Sequence, residues 1–223
     1  MRNNIIFFYL LAVSCIFLTE AQTIFESPEP IHIKSIKFFG SNKHENFPLV
    51  ELGEKITLIF DDLRGEENDF YYKIKHFNHD WTPSLLFHNE FLEGLDNQRI
   101  EKYRTSFNTL QNYTNYRLEI PNKNIKLKVS GNYILEIYDV LDELVFSRKF
   151  CVYENISNVQ VSVFRPQNMN NYSTHQSIHF AVTPLQEVLI NPKENVFVRL
   201  LQNMQWDSEI TGLKPQYFSG KTL

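Results

Sequence analysis

Short segments in which apolar and polar residues alternate recur along the chain from Ile31 onward. Tyr116, Leu118 and Ile120, for example, alternate with the charged Arg117 and Glu119. This period of two is typical of an antiparallel strand that has one face in water, and few segments show a helical period. The pattern predicts seven strands: Ile31–Phe39, Lys55–Phe60, Phe70–Phe77, Tyr116–Ile120, Ile125–Val129, Tyr133–Asp139 and Val145–Val152.

Strands of this length, separated by turn residues, predict an all-β fold. The arrangement favours an immunoglobulin-like or fibronectin-like antiparallel β-sandwich. Within it, Gly131-Asn132-Tyr133 is typical of the start of a late strand, where a tyrosine hydroxyl often bonds back to the preceding corner. Asp139–Glu143 is predicted to be a polar hairpin turn.

A domain boundary is predicted near Glu154–Asn158, where the alternation breaks. We therefore expect a first β-sandwich over residues 22–156 and a second β domain over residues 157–223. The second domain has few predicted strands, which would leave open edges and half a core. We therefore expect it to be incomplete and the natural protein to continue. Its predicted strands are marked by Val159, Val161 and Val163, by Ile178, Phe180 and Val182, and by Val196, Val198 and Leu200.

The first 21 residues have the pattern of a secretory signal peptide. Arg2 supplies a basic start, Ile5–Leu18 an apolar run, and Ala21 ends a small-residue cleavage site. The apolar run is about 14 residues, which is short for a membrane span of about 20. A retained anchor and lipidation at Cys15 are the alternatives to ordinary cleavage. The mature chain is thus expected to be exported, with no segment that crosses a bilayer.

Composition argues against several classes of chemistry. The net charge is −4 and no basic cluster stands out, so nucleic acid is not an expected partner. Cys151 is the one cysteine after the leader, and its strand position favours a small hydrophobe over a nucleophile. No spacing among the histidines matches a zinc or calcium loop, so no metal or cofactor is expected.

The histidines considered are His76, which we expect on the inward face beside Ile74, and His79 and His88. A run of acidic residues around Arg64-Gly65 could in principle supply paired carboxylates, but it is more simply a solvated hairpin tip. Its members are Asp61, Asp62, Glu66, Glu67 and Asp69.

The segment after the strand Phe70–Phe77 is the most distinctive part of the chain. It is a long aromatic connection, and long ordered loops are often functional. Trp81 is expected either in the sandwich core or projecting as an interface anchor. Phe91 and Leu95 are expected to point inward. The residues predicted to order this loop or to form an interface are Asp80, Trp81, Pro83, Phe91, Asp96, Asn97 and Arg99.

The stretch Tyr71–Phe107, with Gly131-Asn132-Tyr133, Trp206-Asp207 and Ile210–Leu213, resembles the plug protein of the bacterial type IX secretion system. The resemblance covers roughly Ile31 to Phe218. It departs from the family pattern at Phe77, where a cysteine is common, and at His79, where a smaller residue is usual.

The resemblance implies a periplasmic protein that is not an enzyme and has no cofactor. Its implied partner is the outer-membrane translocon barrel of that system, which it would close at the periplasmic mouth. It would be associated with the outer membrane through that partner. An alternative from another class is a secreted carbohydrate-binding β-sandwich module, since exposed aromatic residues on a secreted β fold are compatible with glycan binding.

Overall fold

The computed structural model describes residues 26–41, 47–186, 189–220 and 222–223. The predicted leader, residues 1–21, lies outside the described residues. The chain divides into two compact units, one ending at Val152 and one beginning at Tyr153. No helix within the described part of the chain has the length and apolar character to cross a membrane.

The described part of the first unit consists of short and medium strands with one helical turn, α1 (His88–Phe91). All seven predicted strands are present, with bounds that differ from the predicted ones by at most two residues. Four further strands of two to four residues are too short to show an alternating pattern in the sequence. The strands are β1 (Ile33–Phe39), β2 (Leu49–Glu51), β3 (Ile56–Asp62), β4 (Tyr71–Phe77), β5 (Leu92–Gly94), β6 (Gln98–Arg99), β7 (Lys102–Thr105), β8 (Thr114–Ile120), β9 (Ile125–Leu127), β10 (Gly131–Tyr138) and β11 (Leu144–Tyr153).

These strands form two main antiparallel sheets that face each other. A four-stranded sheet has the order β1-β3-β8-β7, and a five-stranded sheet has the order β2-β11-β10-β4-β6. A separate two-stranded pair joins β5 to β9. The all-β prediction is therefore confirmed. The predicted hairpin at Asp139–Glu143 is also present, because β10 and β11 are adjacent and Asp139 N donates to Glu143 O at 3.1 Å.

The core between the sheets is strongly aromatic. Phe60 of β3 meets Phe146 of β11 edge-to-face, with ring centroids 5.3 Å apart. Phe38 of β1 meets Phe150 of β11 in the same manner at 5.6 Å. Such edge-to-face pairs add about 0.5–1.5 kcal/mol to the free energy of burial. Because these contacts join strands of different sheets, they hold the two layers together.

Tyr133 ties the core to the backbone. Its side chain is fully buried and its hydroxyl donates to Val129 O at 2.7 Å, which is the predicted corner bond. Burial raises the pKa of the Tyr133 hydroxyl, so it remains a protonated donor. The hydrogen bond fixes the corner immediately before β10, the strand that lies at the centre of the five-stranded sheet.

The acidic segment after β3 is a connection between the two sheets and not the predicted hairpin tip; Glu66 and Glu67 are exposed as predicted, but Asp62 is not. β3 and β4 lie in different sheets, so residues 63–70 cross from one sheet to the other. Asp62 is fully buried and accepts hydrogen bonds from Arg64 Nε, Arg64 Nη2 and Asn68 Nδ2. A buried carboxylate needs such partners. The prediction fails because the local sequence does not reveal that the connection changes sheets.

Over residues 153–186, 189–220 and 222–223, the second unit contains two antiparallel strand pairs. The pair β12–β13 confirms the strands predicted at Val159–Val163 and Ile178–Val182, and β14 includes Val198 and Leu200 but not Val196. The bounds are β12 (Ser157–Phe164), β13 (Ser177–Pro184), α2 (Pro192–Asn195), β14 (Val198–Leu200) and β15 (Ile210–Leu213), with short 3-10 turns at Met169–Asn171 and Trp206–Ser208.

We predict that Tyr133→Phe lowers the free energy of unfolding of the first unit by about 1–3 kcal/mol, because the buried Val129 carbonyl loses its hydrogen-bond donor. Chemical denaturation measures the change. Tyr103→Phe is the matched control, since its hydroxyl bonds Glu67 at an exposed position. The control should change stability by less than about 0.5 kcal/mol. Equal effects from both substitutions would contradict a special role for the corner bond.

Candidate functional site

The first feature of the site is a hydrogen-bonded turn after β4. Asn78 N donates to Thr82 O at 2.8 Å, and Trp81 N donates to Asn78 O at 3.0 Å. Asp80 Oδ1 accepts from Thr82 N at 3.0 Å and from Thr82 Oγ1 at 2.6 Å. These bonds from Thr82 hold the pKa of the Asp80 carboxyl below its ordinary value. Asp80 therefore stabilises the turn through hydrogen bonds to another residue of the same turn, Thr82.

The turn is also attached to the neighbouring strand. Asn132 of β10 donates from its side-chain amide to Asn78 O at 2.8 Å and to His79 O at 3.2 Å. The Asn78 amide in turn donates to Thr82 Oγ1 and to Pro83 O. Backbone and side-chain bonds together therefore fix the turn in one conformation.

Trp81 occupies an unusual backbone conformation in this turn. Its φ is 64°, in the left-handed region that non-glycine residues rarely adopt. Such a conformation costs about 1–3 kcal/mol and persists where the surroundings determine it. Only 5% of the Trp81 surface remains exposed. Burial of a large indole offsets the backbone cost.

Trp81 is buried, but not in the sandwich core that the sequence suggests. It contacts Phe77, with ring centroids 6.3 Å apart, and Lys149, whose Nζ lies 4.4 Å from the indole centroid. Phe77 comes three residues after the inward Ile74, so it points to the opposite face of the sheet. The cluster of Trp81, Phe77 and Lys149 therefore lies on the outer face of the five-stranded sheet. Sequence periodicity cannot assign a loop residue to either face.

The segment that follows exposes three consecutive apolar side chains. Leu85 is 97% exposed, Leu86 39% and Phe87 76%. We call Leu85–Phe87 the apolar tip, and residues 78–87 the docking loop. Ser84 N donates to His76 O at 3.3 Å, so the tip starts from a backbone attached to β4. Exposed apolar residues in a fixed loop are typical of an interaction site.

The far end of the tip is anchored inside the core. Phe91 of α1 is buried, as predicted, and Lys128 N donates to its carbonyl at 2.9 Å. The expectation that Leu95 points inward is wrong, because Leu95 is 75% exposed. Leu92 takes the inward position instead and is 1% exposed. Because β5 pairs with β9, Leu92 lies opposite Leu127, and this pairing directs Leu92 rather than Leu95 toward the core.

The predicted loop residues do not form one site. Asp80, Trp81 and Pro83 lie in the turn after the last residue of β4, whereas β6 pairs Arg99 with Tyr71, the first residue of β4. β4 has seven residues, so the two groups are roughly 20 Å apart.

The second group forms a separate turn. Asn97 adopts a φ of 58°, and Arg99 forms an ion pair with Asp69 at 2.6 Å. Asp96 contributes its backbone carbonyl, which accepts from Gln98 Nε2 at 3.4 Å. These residues therefore fix the β5–β6 turn against the connection that precedes β4, far from Trp81.

A cleft of about 490 Å³ lies beside the docking loop. Its lining mixes apolar side chains with the ion pair between Lys75 and Glu136, whose charged atoms are 2.8 Å apart. Leu86 of the apolar tip forms part of its wall. The main apolar lining residues are Phe77, Pro83, Leu86, Ile134 and Leu144. The tip and the cleft together make a surface suited to an apolar group of a partner.

His76 connects the loop to the core, and its inward position is as predicted. Its ring contacts Phe91 and Tyr133, with centroids 5.6 and 4.9 Å away. Its Nε2 is 3.4 Å from Ser130 O, while its Nδ1 is buried without a hydrogen-bond partner among the described residues. Burial lowers the pKa of His76 below its ordinary value. The neutral ring is therefore favoured.

The chemistry of this surface is mainly apolar, with exposed Leu85 and Phe87 beside a buried Trp81. The described residues contain no group of three or more histidine, cysteine, aspartate or glutamate side chains that could hold a metal ion. Cys151 donates its Sγ hydrogen to Asn132 Oδ1 at 3.1 Å, and so takes part in the strand network. What the site offers is an apolar tip on a rigid base.

Sequence reasoning missed two parts of this site. The run Leu85-Leu86-Phe87 follows Pro83-Ser84 and lacks any strand or helix period, which is a usable signal for an exposed apolar loop. Asn132 carries no comparable signal. Its role depends on the pairing of β10 with β4, which sets it opposite Phe77.

Comparison with protein families matches residues 33–154 to the model described as the type 9 secretion system plug protein 1st domain. A comparison with curated proteins found no match.

Among solved structures, the chain is similar to a hypothetical protein from Parabacteroides merdae ATCC 43184, determined by crystallography at 2.30 Å resolution. The two are 27% identical with a TM-score of 0.82, over 89% of this chain and 51% of that one. The chain therefore spans about half the length of that protein.

A second structure is the alkylpurine DNA glycosylase AlkC of Pseudomonas fluorescens, bound to DNA with an abasic site analog. It is 14% identical over 54% of this chain and 30% of that one, with a TM-score of 0.28. A score this low does not indicate a shared fold.

We predict that Trp81→Ala loosens the docking loop and leaves the sandwich core intact, because Trp81 packs outside that core. Hydrogen exchange should show amides of residues 78–87 exchanging at least about tenfold faster, with core strand amides unchanged. Phe146→Ala is the contrasting variant and should destabilise the whole unit by about 3–5 kcal/mol. Uniform acceleration across the unit in Trp81→Ala would contradict the outer-face assignment.

We predict that His76 makes the first unit less stable in mild acid. Its pKa is lowered in the folded state, so the unfolded chain takes up the proton first as the pH falls below about 6.5. Its contribution to stability is therefore full above that pH and decreases as the pH falls toward the folded pKa. Melting temperatures measured from pH 7.5 to 5.5 should fall less in His76→Gln than in the wild type. His79→Gln, at an exposed position, should keep the wild-type slope, and a wild-type slope in His76→Gln would refute the prediction.

Proposed function

Because the chain belongs to the type IX secretion system plug protein family, through that family's first domain, we propose that it is the plug subunit that closes the periplasmic mouth of the outer-membrane translocon barrel. The family is a secretion-system plug domain rather than an enzyme family, and membership indicates a role in type IX secretion and in the cell envelope. The match runs from the first residue of β1 to just past the end of β11. The proposal rests on this match, because the matched residues include the whole sandwich and the docking loop.

The proposed mechanism is steric. A stopper must keep its shape under load, and close-packed protein interiors have low compressibility. The first unit meets this requirement through one continuous buried cluster to which both sheets contribute. The aromatic contacts between the sheets, such as that of Phe60 with Phe146, resist their separation.

The apolar tip is the proposed contact with the barrel. Both of its ends are fixed, by the Trp81 turn on one side and by Phe91 on the other. Because the loop is ordered before binding, little conformational entropy is lost on docking. The tip alone is smaller than the roughly 1,000 Å² of a specific interface. It would therefore act as an anchor within a larger polar contact that still permits release.

We predict that the paired substitution Leu85→Asp with Phe87→Asp lowers recovery of the barrel at least about tenfold, because desolvating two carboxylates in an apolar contact is unfavourable. The measurement is affinity purification of the tagged full-length protein from the detergent-solubilised envelope of its host. Phe107→Asp with Leu110→Asp is the matched control, since these residues are 93% and 111% exposed on another loop of the same unit.

The control pair should co-purify the barrel at the wild-type level. Melting temperatures of both variants establish that folding is unchanged. If the wild-type protein recovers no outer-membrane barrel, the plug proposal fails. If both pairs bind equally well, the tip is not the anchor. Retention of the protein on polysaccharide, with no barrel recovered, would favour the carbohydrate-binding alternative.

A further inference from the structure

A second cleft on the first unit is distinct from the docking loop and has a different chemistry. It has a volume of about 340 Å³, within the range of sites that bind small groups, and lies where β6, β7 and the β8–β9 turn meet. Its lining contains five basic side chains and two carboxylates, although the whole chain carries a net charge of −4. The basic residues are Lys55, Arg99, Lys102, Arg117 and Lys123, and the acidic residues are Glu101 and Glu119.

The positive charge of this basic cleft is only partly neutralised. Glu119 accepts from both Lys102 at 2.7 Å and Arg117 at 2.9 Å, so one carboxylate is shared by two cations. These contacts lower the pKa of Glu119, so its carboxylate is charged and is already paired with both cations. Lys123 is paired with Glu101 at 2.8 Å and Arg99 with Asp69 at 2.6 Å, so three carboxylates face the five cations. Lys55 forms no ion pair with any residue in the described part of the chain. An incoming anion would balance this excess.

Uncharged donors line the same cleft. Tyr72 is 1% exposed, and its hydroxyl oxygen accepts from Asn122 Nδ2 at 3.0 Å. The hydroxyl hydrogen is donated to no described residue, and Tyr72 forms part of the buried wall of the cleft. Burial raises the pKa of Tyr72, so the hydroxyl keeps that hydrogen. A buried donor of this kind usually has a partner.

The edge strand β7 begins at the cleft, and Lys102 is the one of its four residues that lines the cleft. β7 is the last strand of the four-stranded sheet and is paired only with β8. Half of its backbone amide and carbonyl groups therefore face away from the sheet. Lys102, which lines the cleft, is the first residue of this strand. An extended peptide that paired with β7 would bring its side chains next to the basic residues.

We propose that the basic cleft binds an extended acidic segment of a protein partner, which adds to the β7 edge and directs a carboxylate toward Lys55 and the Tyr72 hydroxyl. The free strand edge favours a peptide over a phosphate or a nucleic acid, because those ligands lack the backbone groups that pair with it. This inference does not depend on the plug function or on the apolar tip.

The test uses a fluorescent eight-residue peptide that alternates glutamate and threonine, measured by fluorescence anisotropy with the full chain. We expect saturable binding that weakens as salt rises from about 20 to 300 mM, because screening shortens the range of the charge interaction. A peptide with glutamine in place of glutamate should bind at least about tenfold more weakly. A glutamate peptide with alternate backbone amides methylated should lose affinity too, since it cannot pair with β7.

Variants locate the site. Lys55→Gln and Tyr72→Phe should each weaken binding about threefold to tenfold, as expected for partly exposed charged and hydrogen-bonded contacts. Lys34→Gln is the matched control, because it removes the same charge from β1 at the opposite edge of the same sheet. It should leave affinity unchanged. Melting temperatures establish that each variant is folded.

Four results would overturn the proposal. The first is equal affinity for the glutamate and glutamine peptides, and the second is an equal loss in Lys34→Gln. The third is unchanged affinity for the methylated peptide, which would exclude strand addition. The fourth is tighter binding of single-stranded DNA of equal charge that Lys55→Gln also abolishes, which would assign the cleft to a different class of ligand.

Discussion

Strand β10 is paired to β4 in a register that sets Asn132 opposite Phe77 and Tyr133 opposite His76. Successive side chains of a strand point to opposite faces, so this register assigns Tyr133 to the core and Asn132 to the outer face. From these positions Tyr133 fixes the corner before β10, and Asn132 fixes the turn that carries Trp81. A slip of one residue would exchange the two faces and lose both contacts.

Gly131 shows how tightly that register is specified. Its φ is 150°, and a Cβ atom at this position would lie 2.3 Å from His76 Nε2. The backbone of β10 can therefore approach the imidazole only because the residue is glycine. The His76 ring in turn contacts Phe91, which anchors the far end of the docking loop. The close approach of Gly131 to His76 thus links β10 and β4 to both ends of the docking loop, because the His76 carbonyl accepts from Ser84 N and its ring contacts Phe91.

The sequence predicts the strands that alternate over at least five residues, and it predicts the Tyr133 corner, because both depend on local pattern. It does not predict which sheet a strand joins. The connection through Asp62 changes sheets, and this turns a presumed solvated acid into a buried, paired carboxylate. The position of Trp81 has the same cause, since a loop residue has no period and its face is set by where Phe77 and Lys149 lie in the sheet. Local sequence pattern therefore predicts the strands but not the sheet that each strand joins, because long-range pairing determines the sheet.

The two surfaces inferred for the first unit differ in the force that each would supply. Charge around the basic cleft acts over about 10 Å in moderate salt and mainly affects the rate of encounter. The apolar tip acts only on contact, and affinity differences between related complexes arise mostly from the rate of dissociation. A plug of the kind proposed above would have to seat reliably and still be released, and it would benefit from keeping these roles apart. Steering can then be strong while the contact that must be broken remains small, because the tip consists of only Leu85–Phe87.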